Sequence, residues 1–497
     1  MVRVEHRCPD GSPFPVTYAD PADVGFEWLI DLEHAPTAMT PLADEVRRVG
    51  QPGEARAYAA CGVTMPAVLG APRPRANGYA YHRALDLSTA DEERLGVELR
   101  ALAEAYGGGF GAWERGCLPG VQAACDQLAG APATTPFAVL AEAREYAWGL
   151  TSVAGLVARL DELAVARLCE PAFGDRATAI AYELAQGSEN ETTTADRSIA
   201  VLARLKPGSS AEREARAAFL ATYGSRSVGW PIDEPTLVER PDLLDAQVAL
   251  LRRHLDDGRD GVAAAAERRE RLAAEVEAGL DAAARARFRR RLDRLAGFVP
   301  VREARARWQL VATGAMRQVV LARGRSLVDA GMLEQSGDVF FLLPAEYDEP
   351  HDGLAPVVAE RRVDHDRWRA ATPPTRIGGD DHADGGPTPP NGSVLVGIGG
   401  APGVATGPAR VVRDLTEVDR FEPGDVLVTT MTSPAWTPLF ALAAAVVTDA
   451  GDALSHVAIA AREYGIPCVA GTGFATVRIP DGGPVTVDGD AGTVRFG

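Results

Sequence analysis

A Pro-, Gly- and Asp-rich segment divides the chain into two folding units. The segment ATPPTRIGGDDHADGGPTPPNG, residues 371–392, lacks the apolar spacing of a helix or a strand. Such a composition cannot bury enough apolar surface to offset the loss of chain entropy, and it is typical of linkers. The sequence therefore predicts a domain of residues 1–370, a flexible linker of residues 371–392 and a smaller domain of residues 393–497.

The first unit carries the spacing of amphipathic helices over most of its length. Between residues 86 and 340, apolar side chains recur three and four positions apart, with Ser, Thr or Asp near the start of a segment and Gly near its end. The Ala/Arg/Glu stretch of residues 260–297 predicts a helical hairpin with solvated faces. Residues 1–85 are richer in Pro, Gly and aromatic residues, which predicts irregular structure with some strands.

The second unit alternates short β-type runs with one well-marked helix. The runs SVLVGIG, ARVVRD, DVLVTT, AAVVTD, PVTVDG and TVRFG predict strands. The helix is expected roughly over Ser455–Tyr464, because Gly465 occupies a C-cap position and Pro467 blocks continuation. The chain as a whole is therefore expected to have an α+β, multidomain fold, in which a mainly helical domain precedes a compact α/β domain.

Charge and composition narrow the classes of partner. The 51 basic and 69 acidic residues give a formal net charge of −18, which disfavours nucleic acid and anionic lipid surfaces. The chain has neither an apolar run of membrane-spanning length nor a signal-like N-terminal segment, so a cytoplasmic protein without a membrane partner is expected. Six scattered cysteines predict reduced thiols and no metal site.

His456 is the strongest candidate for chemistry. It is one of eight histidines and is expected in the first turn of the predicted helix. Unpaired backbone N–H groups and the helix dipole favour an anion at that position, and a neutral imidazole is a good nucleophile near pH 7. His456 could therefore carry a phosphoryl group. A surface histidine beside a Ser cap is the alternative that the Ser-His pair alone leaves open.

The sequence around His456 resembles the phosphohistidine (swivelling, or mobile) domain of the PEP-utilising enzymes. The similarity runs in order through five blocks: GAPGVATGPARVV, GDVLVTTMTSPAWTPLF, AAVVTDAG, LSHVAIAAREYGIPCVAGT and VTVDGDAGTVRF. By this resemblance His456 is the phosphorylated residue, with Ser455 beside it and Gly451 in the preceding loop. One departure is Ala450, which stands where the family usually has a second glycine.

The helical unit resembles the central substrate domain of rifampin phosphotransferases and phenylphosphate synthases. The similarity is carried by NGYAYHR, LAQGSENETTTADRSIAVLARL, FLATYGSRS and the segment of residues 301–347. Relatives with complete activity also have an ATP-grasp domain, and those that handle pyruvate have a TIM barrel. Neither matches this sequence, so the resemblance implies that a separate ATP-grasp partner binds ATP and Mg²⁺, and that pyruvate is not the substrate.

The same resemblance nominates acceptor-site residues in the helical unit. Arg226 and Arg302 match recurring arginines that can hold a phosphoryl oxygen, and Glu303 accompanies Arg302. A structural ion pair between Arg302 and Glu303 is equally compatible with the sequence. Where rifampin-type enzymes place a lysine, this chain has Ala306, although Arg305 or Arg307 could supply the charge.

His34 in DLEHAPTAMTPL is a further candidate, as the general base that deprotonates an acceptor hydroxyl. A structural histidine is the alternative at that position.

These observations lead to a phosphotransferase component in which His456 carries a phosphoryl group from the partner to a hydroxylated small molecule. Two alternatives remain. Phosphorylation could activate the hydroxyl for dehydration or ring closure, or the chain could be a non-catalytic regulatory protein whose phosphohistidine signals energy state. An open acceptor pocket would favour an enzyme, and a filled one would favour the regulator.

Overall fold

The computed structural model describes residues 1–64, 73–83, 87–107, 110–187, 190–254, 261–379, 392–453 and 455–497. The α-helices within residues 1–370 are α1 (Pro41–Ala60), α2 (Thr89–Ala105), α3 (Phe110–Gly116), α4 (Leu118–Ala129), α5 (Phe137–Phe173), α6 (Ala177–Leu184), α7 (Glu191–Arg204), α8 (Ser210–Tyr223), α9 (Pro241–Arg253), α10 (Gly261–Ala278), α11 (Ala282–Asp329), α12 (Pro344–Asp348) and α13 (Leu354–Ala370). Helices α10 and α11 follow one another across a short turn, as the predicted hairpin requires, and α11 continues for 48 residues.

Helices α1, α5 and α11 form the centre of the helical unit, where α5 packs against both of the others. Helix α1 was not anticipated, because Gly50, Pro52 and Gly53 interrupt a region expected to be irregular. The two glycines allow α1 to approach α5 closely. A β-carbon on Gly53 would come within 2.0 Å of the Glu142 carbonyl oxygen, and one on Gly50 within 2.6 Å of the Ala141 oxygen. Tertiary packing therefore outweighs the low helix propensity of this segment.

The N-terminal strands form two small sheets. Strands β1 (Val2–Arg7) and β2 (Pro13–Tyr18) make an antiparallel hairpin, while β3 (Trp28–Ile30) pairs with both β4 (Tyr81–His82) and β5 (Arg376–Ile377).

Strand β5 lies within the segment whose composition predicts a linker. The hydroxyl of Tyr81 also donates to the Pro374 carbonyl at 2.5 Å, and that of Tyr79 to Ala371 at 3.0 Å. Residues 371–379 are therefore attached to the first unit. The rest of the predicted linker, residues 380–391, lies outside the described residues.

The C-terminal unit is built on an eight-stranded mixed sheet with the order β6-β13-β12-β8-β9-β10-β11-β7. Its elements are β6 (Val394–Val396), β7 (Ile398–Ala401), β8 (Val404–Val411), β9 (Val426–Thr429), α14 (Thr437–Phe440), β10 (Ala445–Thr448), α15 (His456–Tyr464), β11 (Cys468–Ala470), α16 (Ala475–Arg478), β12 (Pro484–Asp488) and β13 (Thr493–Phe496). Strands β8, β9, β10 and β11 are parallel to one another. The predicted α+β, multidomain fold class is confirmed.

The two units share a hydrophobic core. Apolar side chains of α7, α8 and α9, such as Ile199, Phe219 and Leu244, belong to the same buried cluster as Trp436 and Phe440 of the C-terminal unit. This arrangement is a docked state, in which one face of the C-terminal unit is removed from solvent.

Buried polar contacts accompany the apolar ones, and we call the following two the α7–α15 latch. The Asn190 amide donates to the Glu463 carboxylate at 2.7 Å, and the Tyr464 hydroxyl donates to Asp196 at 3.0 Å. Both contacts join α7 to the C-terminal half of α15, so they fix the orientation of the helix that begins at His456.

Candidate functional site

His456 is the first residue of α15, as the sequence predicts. Ser455 is the N-cap residue, with an extended backbone, but its hydroxyl donates to the Asp452 carbonyl at 2.7 Å and does not cap the helix. Gly451 adopts a φ of 104°, and a β-carbon there would lie 2.8 Å from the Ser455 hydroxyl. Gly451 therefore has to be glycine, because its conformation and its space both exclude a side chain.

Ala450 does not disturb the loop. Its backbone N–H donates to the Thr430 carbonyl at 3.0 Å, and its own carbonyl accepts from the Thr448 hydroxyl at 2.7 Å. Its φ is not positive, unlike that of Gly451. Alanine is therefore unstrained at the position where the family pattern has a second glycine.

The imidazole of His456 has one engaged and one free nitrogen. Nδ1 lies 3.1 Å from the Thr432 hydroxyl oxygen, whereas Nε2 is buried and has no hydrogen-bond partner among the described residues. Burial lowers the pKa of His456 to about 4, so the ring is neutral at pH 7. With its proton on Nδ1, shared with Thr432, the ring presents the lone pair of Nε2 as a nucleophile.

Thr432 and His456 meet because parallel strands end at the same edge of the sheet. Thr432 follows β9, and His456 follows the loop after β10. The ladder between these strands continues beyond them, since the Asp449 N–H donates to the Thr429 carbonyl at 3.1 Å. The Asp449 carboxylate in turn accepts from the Thr476 N–H at 3.1 Å and from the Thr476 hydroxyl. Asp449 thus attaches the loop before His456 both to the end of β9 and to α16.

A cavity of about 550 Å³ lies between the two units, beside this edge. The C-terminal unit contributes Thr430, Met431, Thr432, Ser433 and Trp436, and the helical unit contributes Glu33, Met39, Trp230, Glu234, Phe340 and Phe341 among others. The size is that of a pocket for a small organic molecule. Its walls combine aromatic rings with many charged groups, including five arginines and five carboxylates. Thr432 both contacts His456 and lines this cavity, so the candidate nucleophile is adjacent to it.

Glu33 and Glu234 are carboxylates of the cavity wall without a hydrogen-bond partner among the described residues. Burial raises the pKa of Glu33. Burial and the nearby Asp233 raise the pKa of Glu234 to about 7. Glu33 also interacts electrostatically with Arg305 and with Asp452 of the loop before His456. The N-terminal part of the helical unit is therefore close enough to the His456 loop to influence its charges. Raised carboxyl pKa values in a cavity are typical of groups that exchange protons.

His34 lies beside this cavity in a second, smaller one of about 50 Å³. Its Nδ1 is 2.9 Å from an oxygen of Asp31, and its ring contacts the rings of Trp148 and Trp230 at centroid distances of 5.5 Å each. Trp230 lines both cavities. The structure therefore places His34 next to the large cavity without lining it, in contact with a carboxylate that was not predicted from the sequence.

Arg226 belongs to a separate cluster. It donates to Glu191 at 2.9 Å and stacks over the Tyr223 ring at 4.1 Å, while Arg307 approaches the same Glu191 oxygen at 3.2 Å. Burial lowers the pKa of Arg226 to about 10. Arg226 lines a cavity of about 40 Å³ that Ser433 also borders, and it does not line the large one. Its role in the site stays a prediction.

Two other predicted site residues cannot be placed. The side chains of Arg302 and Glu303 lie outside the part of the chain that the structure describes, although both positions belong to α11.

Three partners in these clusters were not predicted from the sequence: Asp31, Glu191 and Thr432. Thr432 stands inside a block that carried the family resemblance, and Asp31 precedes His34 by three residues. Their positions in the sequence were the only indication of a role in the site. Their contacts, however, depend on the fold.

Two general features of the described residues bear on function. They bring together no group of three or more His, Cys, Asp and Glu side chains placed to hold a metal ion. Nowhere in the described ranges does a helix combine the length and the apolar character that crossing a bilayer requires.

His456 therefore stands at a helix N-terminus, on a parallel sheet edge beside a cleft that residues of both units line, and its Nε2 has no partner among the described residues. Residues 421–492 match the mobile domain of PEP-utilising enzymes, and residues 170–303 match the fourth domain of rifampicin phosphotransferase. The chain thus carries domains of the PEP-utilising enzyme family, as the sequence blocks indicated.

Individual relatives cover different parts of the chain. A rifampicin phosphotransferase from Streptomyces sviceus is 33% identical over 58% of the chain and 35% of its own length. A chondramide synthase from Chondromyces crocatus is 29% identical over 98% of the chain but only 14% of its own length. A phosphoenolpyruvate synthase from Pyrococcus furiosus is 49% identical over 21% of the chain and 13% of its own length. The chain therefore spans about a third or less of these relatives.

Proposed function

We propose that this chain is a phosphotransferase component, in which Nε2 of His456 carries a phosphoryl group to a hydroxyl of a small molecule bound in the interdomain cavity. One observation carries the proposal: a neutral imidazole at a helix N-terminus has its Nδ1 engaged by Thr432 and its Nε2 free of any described partner. The similarity to a rifampicin phosphotransferase supports a hydroxyl acceptor. The open volume of about 550 Å³ favours an enzyme over a purely regulatory phosphoprotein.

The phosphoryl donor is proposed to be ATP with Mg²⁺, bound by a nucleotide-binding component outside these 497 residues. An ATP-grasp protein is the candidate for that partner. The chain's own contribution is to hold His456 neutral, to fix its tautomer and to offer the acceptor cavity.

In this proposal Nε2 attacks a phosphorus of the donor, and the P–O bond to the rest of the donor breaks with its electrons staying on the departing oxygen. The proton on Nδ1 stays hydrogen-bonded to Thr432. The acceptor oxygen then attacks the phosphorus of phospho-His456, and the electron pair of the P–N bond returns to Nε2. The acceptor proton leaves to a base, for which His34 is the candidate. The helix N-terminus stabilises the negative phosphoryl oxygens throughout by about 0.3–2 kcal/mol.

The test is covalent labelling of His456. Phosphoramidate, which transfers its phosphoryl group to imidazole and releases ammonia, serves as the donor probe without a partner protein. Wild-type protein should acquire a label that acid removes and base does not, as expected of a phosphoramidate bond. His456→Asn should acquire none at this position while keeping its circular dichroism spectrum. Ser455→Ala should label like wild type.

Two results would refute the assignment. Peptide mapping should locate the label of the wild-type protein at residue 456, and the same peptide of His456→Asn should carry none. If that peptide is still labelled in the variant, His456 is not the phosphorylated residue. An acid-stable label that Ser455→Ala abolishes would instead assign the phosphoryl group to the serine.

A second candidate function is dehydration or ring closure driven by phosphorylation of the acceptor. Glu234 favours it, since this cavity carboxylate lacks a described hydrogen-bond partner and has a pKa of about 7, which suits a base that removes a proton while phosphate leaves. Product analysis separates the two functions. A phosphorylated product supports transfer alone, whereas a dehydrated product with free phosphate, lost in Glu234→Gln, supports elimination.

A further inference from the structure

A second cluster of titratable groups, centred on Asp31, lies behind the small cavity that His34 and Arg73 line. This buried carboxylate accepts twice through Oδ1, from the backbone N–H of His34 at 3.1 Å and from its Nδ1 at 2.9 Å. Its other oxygen accepts from the Arg73 guanidinium at 3.0 Å. Asp31 is anchored in turn by β-type pairing, since its own N–H donates to the Ala80 carbonyl at 2.8 Å.

The protonation state of Asp31 decides the tautomer of His34. Burial opposes ionisation of Asp31, but the interactions with His34 and Arg73 outweigh it and hold the pKa of this carboxyl well below its usual range. An ionised carboxylate can only accept hydrogen bonds. Nδ1 of His34 therefore carries a proton, and in the neutral ring Nε2 is left without one.

The ring of His34 is also fixed in orientation. Trp148 and Trp230 both contact it, so that the three ring centroids form a triangle with sides of 5.4 to 5.5 Å, and the hydrogen bond from Nδ1 to Asp31 restrains the ring further. About a third of the His34 side chain remains exposed. Nε2 has no hydrogen-bond partner within the described ranges, so it is available to an incoming group. Because the ring cannot rotate freely, the direction of its lone pair is preset.

We propose that Asp31, held by Arg73, is a positioning residue that keeps the proton of His34 on Nδ1, so that Nε2 accepts the proton of the acceptor hydroxyl during phosphoryl transfer. The inference rests on the proposed function and adds to it the residues that prepare the base. In the step, the hydroxyl proton passes to Nε2 of His34, the oxygen bonds to phosphorus, and the P–N bond breaks with its electrons returning to His456. Asp31 stabilises the imidazolium that forms, and the proton then leaves to solvent.

The first measurement requires no acceptor. Nitrogen-15 NMR of histidine-labelled protein distinguishes the two neutral tautomers, and His34→Gln identifies the resonances of His34. Wild type should show the Nδ1–H form at a pH where the ring is neutral. Asp31→Asn should convert a large part of the signal to the Nε2–H form, because an amide can donate to Nδ1. Arg73→Lys, which keeps a cation beside Asp31, should retain the wild-type tautomer.

The second measurement is the discharge of phospho-His456 to a probe alcohol. Protein labelled with phosphoramidate is transferred to glycerol-containing buffer, and loss of phosphohistidine is followed by phosphorus-31 NMR. Asp31→Asn and His34→Gln should each slow discharge by about 10²-fold, the usual contribution of a positioned base. The double variant should be no slower than either single one, since the two residues act as a unit. His351→Gln, at an exposed histidine, is the matched control.

Three outcomes overturn the positioning role: an Nε2–H tautomer of His34 in wild type, an unchanged tautomer in folded Asp31→Asn, or discharge by that variant at the wild-type rate. Circular dichroism and the melting temperature establish that the variant is folded. Failure of the proposed function gives a different result, namely no phosphohistidine at position 456 in wild type while the tautomer behaves as expected.

Discussion

The buried, neutral state of His456 predicts how stability depends on pH. The folded-state pKa is about 4, whereas an unfolded histidine titrates near 6.5. Between these values the unfolded chain binds a proton that the folded chain does not, so the free energy of unfolding falls as pH falls from 6.5 to 4. Above 6.5 and below 4 this residue contributes no pH dependence.

The size of the effect follows from the shift. Moving the pKa from 6.5 to about 4 is worth about 3 kcal/mol in total, since each tenfold change in proton affinity corresponds to about 1.4 kcal/mol. Most of this, about 2 kcal/mol, should already be lost at pH 5. These are upper values, because part of His456 remains in contact with solvent.

The assay is urea unfolding of wild type and His456→Asn at several pH values between 7.5 and 5. Other groups also titrate in this range, including Asp196 and Glu54, whose raised pKa values are about 8 and 7. They are the same in both proteins, so the difference between the two unfolding free energies isolates His456. As pH falls from 7.5 to 5, wild type should lose about 2 kcal/mol more of its unfolding free energy than His456→Asn.

The exposed His351 provides the control, since His351→Asn makes the same substitution at a surface position. A constant difference between wild type and His456→Asn over the whole range would refute the argument. It would mean that position 456 has the same proton affinity folded and unfolded, and that the neutral nucleophile has to be explained in another way.

Four further outcomes are expected. Thr432→Val should slow phosphoramidate labelling of His456 several-fold without loss of fold, because the tautomer with a free Nε2 loses its hydrogen bond; equal labelling rates would contradict this. Gly53→Ala should destabilise the protein by several kcal/mol, measured by urea unfolding, because α1 and α5 would have to separate. Deleting most of residues 380–391 should slow turnover but leave acceptor affinity unchanged, and unaltered turnover would argue against swivelling. Purified chain with Mg²⁺ and ATP should form no AMP until an ATP-grasp partner is added; substantial AMP from the chain alone would overturn the donor assignment.

The elements that the sequence predicted best are those with local end signals. Helix α15 begins one residue after the predicted start and ends at Tyr464, because Gly465 adopts the left-handed conformation that ends a helix and Pro467 prevents its extension. The predicted β-type runs correspond to strands, since alternation and β-branched residues are local properties. Strand β11 was not predicted, although β6, which also has three residues, lay inside a predicted run.

What could not be predicted depends on packing between distant segments. The α1 segment contains residues that disfavour a helix, and only the close approach to α5 makes Gly50 and Gly53 favourable there. The partners of the candidate site are likewise set by the fold. Asp31 meets Arg73 across 42 positions, and Thr432 meets His456 across 24. The sequence could therefore nominate His456 and His34, but not the groups that contact their Nδ1 atoms.

The docked arrangement implies a cycle with two states. In the docked state Nε2 of His456 is buried, and Thr432 beside it faces the acceptor cavity. In the proposed function another component binds the donor. A donor held there cannot reach a buried nitrogen, so the proposal requires the C-terminal unit to leave the helical unit while His456 is charged. Residues 380–391 would reach at most about 40 Å when fully extended, which bounds that movement.

The shared core and the α7–α15 latch stabilise docking, and they therefore oppose charging while they favour transfer. The proposed cycle requires both states to be populated. Docking that is too strong would prevent charging, and docking that is too weak would leave phospho-His456 exposed to water. The latch suits this requirement, because it adds two hydrogen bonds, each worth about 1 kcal/mol, to an apolar contact. Burial raises the pKa of Asp196, one of the latch residues, to about 8. Part of the free energy of its hydrogen bond with Tyr464 therefore offsets the cost of burying the carboxyl group. The latch therefore orients α15 and contributes only modestly to the free energy of docking. The binding energy of a donor or an acceptor can then shift the equilibrium between the docked and undocked states.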